Sequence, residues 1–310
     1  MGRSVCDGLK MLFHIIDNER NVTGMFEINR CGTVPVMEQR VQNGMDYLVF
    51  PAFEKTGIVD HMFASRIGGV SKGCYAESNF SYTRGDVKEN VDENYRRIAD
   101  IMGHGRTLTD FVSTYQTHTT NVRLVTDADR GKGIIKERDY VDVDGLITDI
   151  PGIILVTYHA DCTPLYFVDP VHHAIGLSHS GWKGTAGRMG QKTLEAMQDA
   201  FGTDSSDCLC GIGPSICGSC YEVGEDVAGI FQNNFGKLLE QYPILREKEN
   251  GKYNLDLWLA NRMILDQGGV PSDQISVTDV CTCCNSSYLF SHRVDHDRRG
   301  NLAAFLTLKQ

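Results

Sequence analysis

No apolar run in this 310-residue chain approaches the ~18 residues that cross a bilayer; the longest candidate, Ile153 to Val156, is far too short. An apolar patch at Met11–Ile16 is flanked by acidic residues and followed by no small-residue cleavage site, so no signal peptide is expected. Positive charge is in deficit, with 30 Lys and Arg against 40 Asp and Glu and a net charge of −10. That balance repels phosphate backbones and disfavours nucleic acid as a partner. Internal repeats, low-complexity tracts and Pro- or Ser-rich linkers are absent, and fibrous and disordered classes go with them. The GxxxxGK[ST] order is missing, which removes P-loop nucleotide hydrolysis. Ten histidines include no His-x-His pair, so a multi-copper cluster lacks its ligands. A cytoplasmic globule is what these absences leave. At this length it buries about three quarters of its unfolded surface and needs no staple to fold.

Cysteine, by contrast, is plentiful at 11. An odd number without an export signal argues for reduced thiols rather than a disulfide framework. Two groups stand out, Cys208-x-Cys210-x6-Cys217-x2-Cys220 and Cys281-x-Cys283-Cys284. Read as local runs, they do not show the two paired knuckles of a zinc ribbon. All seven are therefore expected to be small buried hydrophobes and not a second metal centre.

The middle of the chain is dense in strand patterns. Tyr47–Phe50 is an apolar run stopped by Pro51, Val122–Val125 alternates, and Ile153–Tyr158 reads as a strand buried on both faces. Leu165–Val168 and Ala174–Leu177 form two more strands around an Asp169-Pro170 turn. Val87 to Ile101 carries helical periodicity with Asp86 as its expected cap. Further helices are expected after Gly187 up to Gly202, over Val227–Leu239 and over Leu255–Gln267. Strands with interspersed helices and no regular βαβ beat predict an α+β or mixed fold rather than a Rossmann sheet. Residues 1–44 carry turn signals at Asn18, Gly32 and Asn43-Gly44 between what look like a few short strands.

Three residues at strand ends carry metal-binding chemistry. His118 closes Tyr115-Gln116-Thr117-His118, Cys162 follows the buried run, and His179 ends the strand Ile175–His179. Two imidazoles and a thiolate suit Zn²⁺ with a fourth position open, although a satisfied core histidine is the plainer reading of each His alone. Cys162 with His179 also reads as a nucleophile pair, which would make a Cys–His hydrolase or deamidase. Ser180 to Gly187, with Gly181, Gly184 and Gly187, reads as a Gly-rich loop opening a helix, a place for an anion or an ordinary tight turn. Arg293, in Phe290-Ser291-His292-Arg293, has the chemistry of a bidentate phosphate clamp.

Taken together, SRIGGVS at Ser65–Ser71, NFSYTRGD at Asn79–Asp86, ENYRR at Glu93–Arg97, QTH at Gln116–His118 and DGLIT at Asp144–Thr148 form a recognisable series. It continues with ADCTPLYFVDP at Ala160–Pro170, HSGWKGT at His179–Thr185, GPSICGSCYEVG at Gly213–Gly224 and CT…FSHR from Cys281 to Arg293. The sequence resembles the YfiH-like family, also called the laccase-domain or multicopper polyphenol oxidoreductase family, now described as purine nucleoside phosphorylases. The likeness runs from about Met45 to Leu308, which sets residues 1–44 apart as an extension and 45–310 as one catalytic domain. It implies a layered α/β/β/α arrangement similar to the cytotoxic-necrotizing-factor deamidases, and zinc on His118, Cys162 and His179. It also implies phosphorolysis of adenosine, inosine and methylthioadenosine, with adenosine deamination as a further activity; the sequence leaves monomer and homodimer both open. On that reading Arg66, Arg293 and the backbone at Gly181 and Gly184 bind phosphate, while Asp161 beside Cys162 is the nearest acid–base carboxylate. Copper, for a polyphenol oxidase, is the alternative metal that the family's older name carries. His292 replaces the family's usual aromatic before the late arginine, and Asn301 stands where an arginine usually follows glycine.

Overall fold

The computed structural model describes residues 25–310, so the Met11–Ile16 patch and Asn18 lie outside the described residues. In chain order the strands are β1 (Glu38–Gln42), β2 (Met45–Val49), β3 (Val59–Ala64), β4 (Phe111–Ser113) and β5 (Val122–Leu124). Then come β6 (Gly145–Thr148), β7 (Ile154–His159), β8 (Thr163–Asp169), β9 (Ala174–Ser180) and β10 (Leu209–Ile212). The last five are β11 (Glu222–Val223), β12 (Leu245–Glu247), β13 (Tyr253–Leu255), β14 (Ile275–Val277) and β15 (Leu302–Leu308). They form two six-stranded mixed sheets, β1-β2-β3-β15-β7-β4 and β14-β10-β8-β9-β6-β5, and a small sheet β11-β13-β12. The α+β expectation holds, and the β8–β9 hairpin turns at Asp169-Pro170 as read.

Period-2 alternation explains why the strands read as unbroken apolar runs. Leu155 of β7, Leu302, Ala304 and Leu306 of β15, Tyr166 and Val168 of β8, and Ile175 and Leu177 of β9 share one core between the two sheets. The alternate residues of the first sheet, Ile154, Val156 and Phe305, face a second core under the Lys88–Met102 helix. Those of the other sheet, Ile147, Leu165 and Phe167, face a third core with Leu194 and Met197 of the Met189–Phe201 helix and Leu265 of the Leu257–Gln267 helix. The order is therefore helix, sheet, sheet, helices, and both faces of each central strand are covered.

Two local expectations need correction. Asp86 does not cap the Lys88–Met102 helix; Val87 holds the N-cap position, and the Asp86 carboxylate accepts from Val87 N at 2.8 Å and from Asn79. The Val227–Leu239 pattern is two helices, Glu225–Phe235 and Leu238–Gln241, separated at Gly236 in a positive-φ conformation. Residues 25–44 pack onto this body. Phe26 stacks on Tyr288 with ring centroids 5.1 Å apart, Arg30 pairs with Asp279 at 2.5 Å, and Met37 is buried.

Candidate metal centre and cavity

Alternation also aims the site. His179 continues the Ile175 and Leu177 face of β9, and His159 continues the Leu155 face of β7, so both rings enter the space between the sheets at one end. The imidazoles lie 5.5 Å apart, centroid to centroid. Cys162 sits in the turn joining β7 to β8, where Asp161 adopts φ 85°. His118, at φ 66° in the exposed loop after β4, brings its ring to 4.9 Å from that of His179. One ligand atom from each of His118, Cys162 and His179 lies within 4.8 Å of the other two. Gly181, just past β9, lets the group close up, because a Cβ there would meet Cys162 Sγ at 2.9 Å and His118 Cδ2 at 3.0 Å.

The carboxylate that organises the trio is Asp144, which sequence reasoning missed. Fully buried, its Oδ1 accepts from His179 Nδ1 at 2.8 Å and from the His118 amide at 3.2 Å. Its Oδ2 accepts from the Thr117 and Thr119 amides, both at 3.0 Å. The first set of bonds fixes the His179 tautomer and leaves Nε2 as the donor atom; the second shapes the loop that presents His118. Burial alone would raise the Asp144 carboxyl, yet these hydrogen bonds hold it below its ordinary value. Burial likewise opposes a charged Cys162, but His179 and His118 outweigh it and draw the thiol down to about 6. His179 is disfavoured as a cation by burial, and Cys162 and Asp144 lift it to about 9. His159, buried and next to His179, is held well below its usual value and stays neutral. A thiolate beside oriented imidazoles is the result.

The trio lines a cavity of about 470 Å³, whose other walls include Tyr82, Tyr115, Arg138, Tyr158, Arg299 and Asn301. Gln116 fixes Tyr158 in that wall by exchanging hydrogen bonds with its backbone at 2.7 and 2.8 Å. Arg138 donates to Thr114 O and packs over Tyr115, with its guanidinium 4.9 Å from the ring centroid. Arg299 is buried, bonds Gly300 O and Asn301 Oδ1, and leaves its Nε without a partner. Among the described residues neither arginine forms an ion pair, so two cations face the cavity without a carboxylate of their own. Asn301 thus lines the cavity where the resemblance led to an expected arginine, and the guanidinium at this wall comes from two residues earlier.

Other expected site residues are placed elsewhere. Arg66 does not line the cavity; it donates to Ala76 O and Ser286 O, both at 2.9 Å, and lies over Phe290. Arg293 is also outside it, bonding Cys220 O and Glu222 O over the Tyr221 ring. Both Asp161 oxygens are occupied, Oδ1 by Thr282 Oγ1 at 2.5 Å and Oδ2 by the Arg293 amide at 2.7 Å. A carboxylate so engaged anchors the turn rather than facing the cavity. The stretch read as a glycine-rich loop is a short helix, Trp182–Ala186, with Gly181 as N-cap and Gly184 buried inside it.

The cysteines divide. Cys208 and Cys210 are buried in the core under the Met189–Phe201 helix, as expected. Cys217, Cys220, Cys281 and Cys284 instead bring their sulfurs within 4.8 Å of one another. Reading the groups as local runs hid their true pairing, which is Cys217-x2-Cys220 with Cys281-x2-Cys284.

The sequence matches the family described as "Multi-copper polyphenol oxidoreductase laccase" over residues 60–309. It is 37% identical over 241 residues to "Purine nucleoside phosphorylase YlmD" of Geobacillus stearothermophilus, covering 77% of this chain and 86% of that one. It is 31% identical over 248 residues to "Adenosine deaminase RL5" from an unknown prokaryotic organism, covering 74% of this chain and 91% of that one. The crystal structure of YlmD from G. stearothermophilus superposes with a TM-score of 0.82 at 33% identity, covering 89% of this chain and all of that one.

Proposed function

The chain belongs to the multi-copper polyphenol oxidoreductase laccase family, and we propose that it is a zinc-dependent purine nucleoside phosphorylase acting on adenosine, inosine and methylthioadenosine. The convergence of His118, Cys162 and His179 at a cavity walled by two arginines carries this reading. The donor set fits zinc. Cys162 Sγ and His118 Nε2 are 3.9 Å apart, against roughly 3.6 Å across a tetrahedron of ~2.3 Å Zn–S and ~2.0–2.1 Å Zn–N bonds. Three protein ligands leave a position open, and the Asp144–His179 bond is the partner that a ligating imidazole ordinarily has. Bound there, Zn²⁺ supplies a Lewis acid at the cavity wall.

The chain's own residues do the rest. Arg138 and Arg299, unpaired with carboxylates, favour a phosphate dianion in the cavity, and Arg offers the planar fork suited to it. A phosphate oxygen forms the new bond to the anomeric carbon as the glycosidic C–N bond breaks. The electron pair leaves with the purine, which takes up a proton. Adenosine deamination, the activity in the name of one relative, is proposed as a second reaction of the same cavity. A Cys–His hydrolase is the second reading, favoured by the Cys162–His179–Asp144 relay and the lowered thiol. Incubating the purified chain with a nucleoside panel, with and without phosphate, separates them. Phosphate-dependent ribose 1-phosphate is expected, together with one zinc per chain held at this centre and lost from it in Cys162→Ala. Release of base without phosphate dependence, or a metal-free active protein, overturns the proposal.

A further inference from the structure

The other cysteine group gathers four sulfurs at one place, away from the cavity. Cys217 and Cys220 lie after β10, and Cys281 and Cys284 follow β14, 64 residues later in the chain. Two contacts set the segments side by side: the Ser215–Cys281 bridge and the hydrogen bond from Thr282 N to Ser215 O at 3.1 Å. Cys217 and Cys281 are buried, and Cys220 and Cys284 are half-buried. The Cys220 and Cys284 sulfurs are 3.4 Å apart, beyond the ~2.05 Å of a disulfide and close to the ~3.8 Å edge of a tetrahedron with ~2.3 Å metal–sulfur bonds. The Cys217 amide donates to Cys281 Sγ at 3.2 Å, the contact that stabilises a thiolate in such a knuckle. We propose that Cys217, Cys220, Cys281 and Cys284 hold one Zn²⁺ as a closed tetrathiolate, distinct from the His118–Cys162–His179 centre. Four thiolates with no open position make a structural site, and each thiol gives up its proton on binding.

What the ion would fasten is visible around it. Thr282, between two of the ligands, donates to Asp161 Oδ1, and the Ile216 amide, next to a third, donates to Asp161 O at 3.0 Å. Asp161 precedes Cys162, so the tetrathiolate joins the two segments that grip the turn carrying a ligand of the first centre. Cys31, close to Cys217 and Cys284, and Cys283, close to Cys220, flank the group without completing the four.

The test uses the full chain purified under reducing conditions without added metal. Removing the first centre with Cys162→Ala isolates the second: one zinc per chain is expected to remain, and Co²⁺ in its place is expected to show the sulfur-to-metal charge-transfer bands of four thiolates. Cys217→Ser in that background should take the stoichiometry from one to zero, while Cys31→Ser should leave it at one. Absence of metal from Cys162→Ala, a cobalt spectrum with fewer than four sulfurs, or a native Cys220–Cys284 disulfide in the intact mass would overturn the proposal. Should Cys217→Ser fail to fold, titrating Cys162→Ala with a mercurial gives the same answer, because zinc should leave in step with four thiols. Since the first centre is absent from that variant, failure of the phosphorylase reading would not affect the outcome.

Discussion

Replacing Asp144 by Asn tests whether the trio is held by its buried carboxylate. Asn keeps the size but presents an NH₂ group to a shell composed of donors: His179 Nδ1 and the amides of Thr117, His118 and Thr119. One Asn oxygen can serve only part of that shell, so at least one amide loses its acceptor and His179 loses a charged partner. A hydrogen bond to a charged group is worth about 1.5–3 kcal/mol, and loss of one is the minimum expected effect on the metal-free protein. For a chain of this size that lowers Tm by about 2–5 °C. Zinc affinity should fall a further 10–100-fold, about 1.4–2.8 kcal/mol, because the carboxylate sets the His179 tautomer and the His118 loop. Competition against a chromophoric chelator reads the affinity, and melting with and without chelator separates the two effects. Asp142→Asn is the control, since Asp142 is exposed on the same loop and, among the described residues, its side chain accepts only from Thr117 Oγ1. Zinc binding in Asp144→Asn within about twofold of the parent, with an unchanged melting curve, would refute the argument.

Arg299→Ala should raise the phosphate KM of the proposed reaction at least tenfold and leave zinc content intact, which initial rates over a phosphate series will show; equal effects on nucleoside and phosphate would argue for general collapse of the wall. Phe305→Ala, removing a ring packed edge-on to Phe80, Tyr95 and Phe111, should cost about 3–5 kcal/mol in urea unfolding. Asp129 supplies a pH dependence. Burial would raise its carboxyl, but the Thr126 backbone, Lys132 and Arg123 hold it below its ordinary 3.8. Its contribution is therefore complete above pH ~4 and is lost as pH falls through the lowered folded value. The difference in urea midpoint between wild type and Asp129→Asn should accordingly be largest at pH 6 and shrink towards pH 3; a constant difference would show that charge is not the cause.

The strands were legible because each central one is covered on two faces and is built mainly from apolar residues, and His118, Cys162 and His179 stood out as polar groups near the ends of such runs. Asp144 did not, since Asp-Gly ahead of a strand has the composition of any turn and its donors, Thr119 Oγ1 among them, come from distant residues. The cysteine group was obscured by proximity along the chain: Cys208 and Cys210 are near Cys217 in sequence, whereas its partners lie beyond three helices and the small sheet. Arg66 and Arg293 engage backbone carbonyls and pack over Phe290 and Tyr221, partners the sequence does not reveal because a guanidinium suits a carbonyl as readily as a phosphate. Arg299, which does line the cavity, has no distinguishing neighbour in the sequence.

Strand β15 sits inside its sheet, with Ala304 opposite Phe63 of β3 on one side and Phe305 opposite Val156 of β7 on the other. During synthesis β3 therefore leaves the ribosome about 240 residues before its partner, which at ~5–20 residues per second is a wait of roughly 12–48 s. Throughout that interval the nascent β1–β3 meander ends in an unpaired edge carrying Met62 and Phe63, open to pairing with another nascent chain. The expected consequence in a cell is that guarding that edge, by slower initiation or a chaperone that shields strand edges, raises the yield of folded protein without any change to the finished fold.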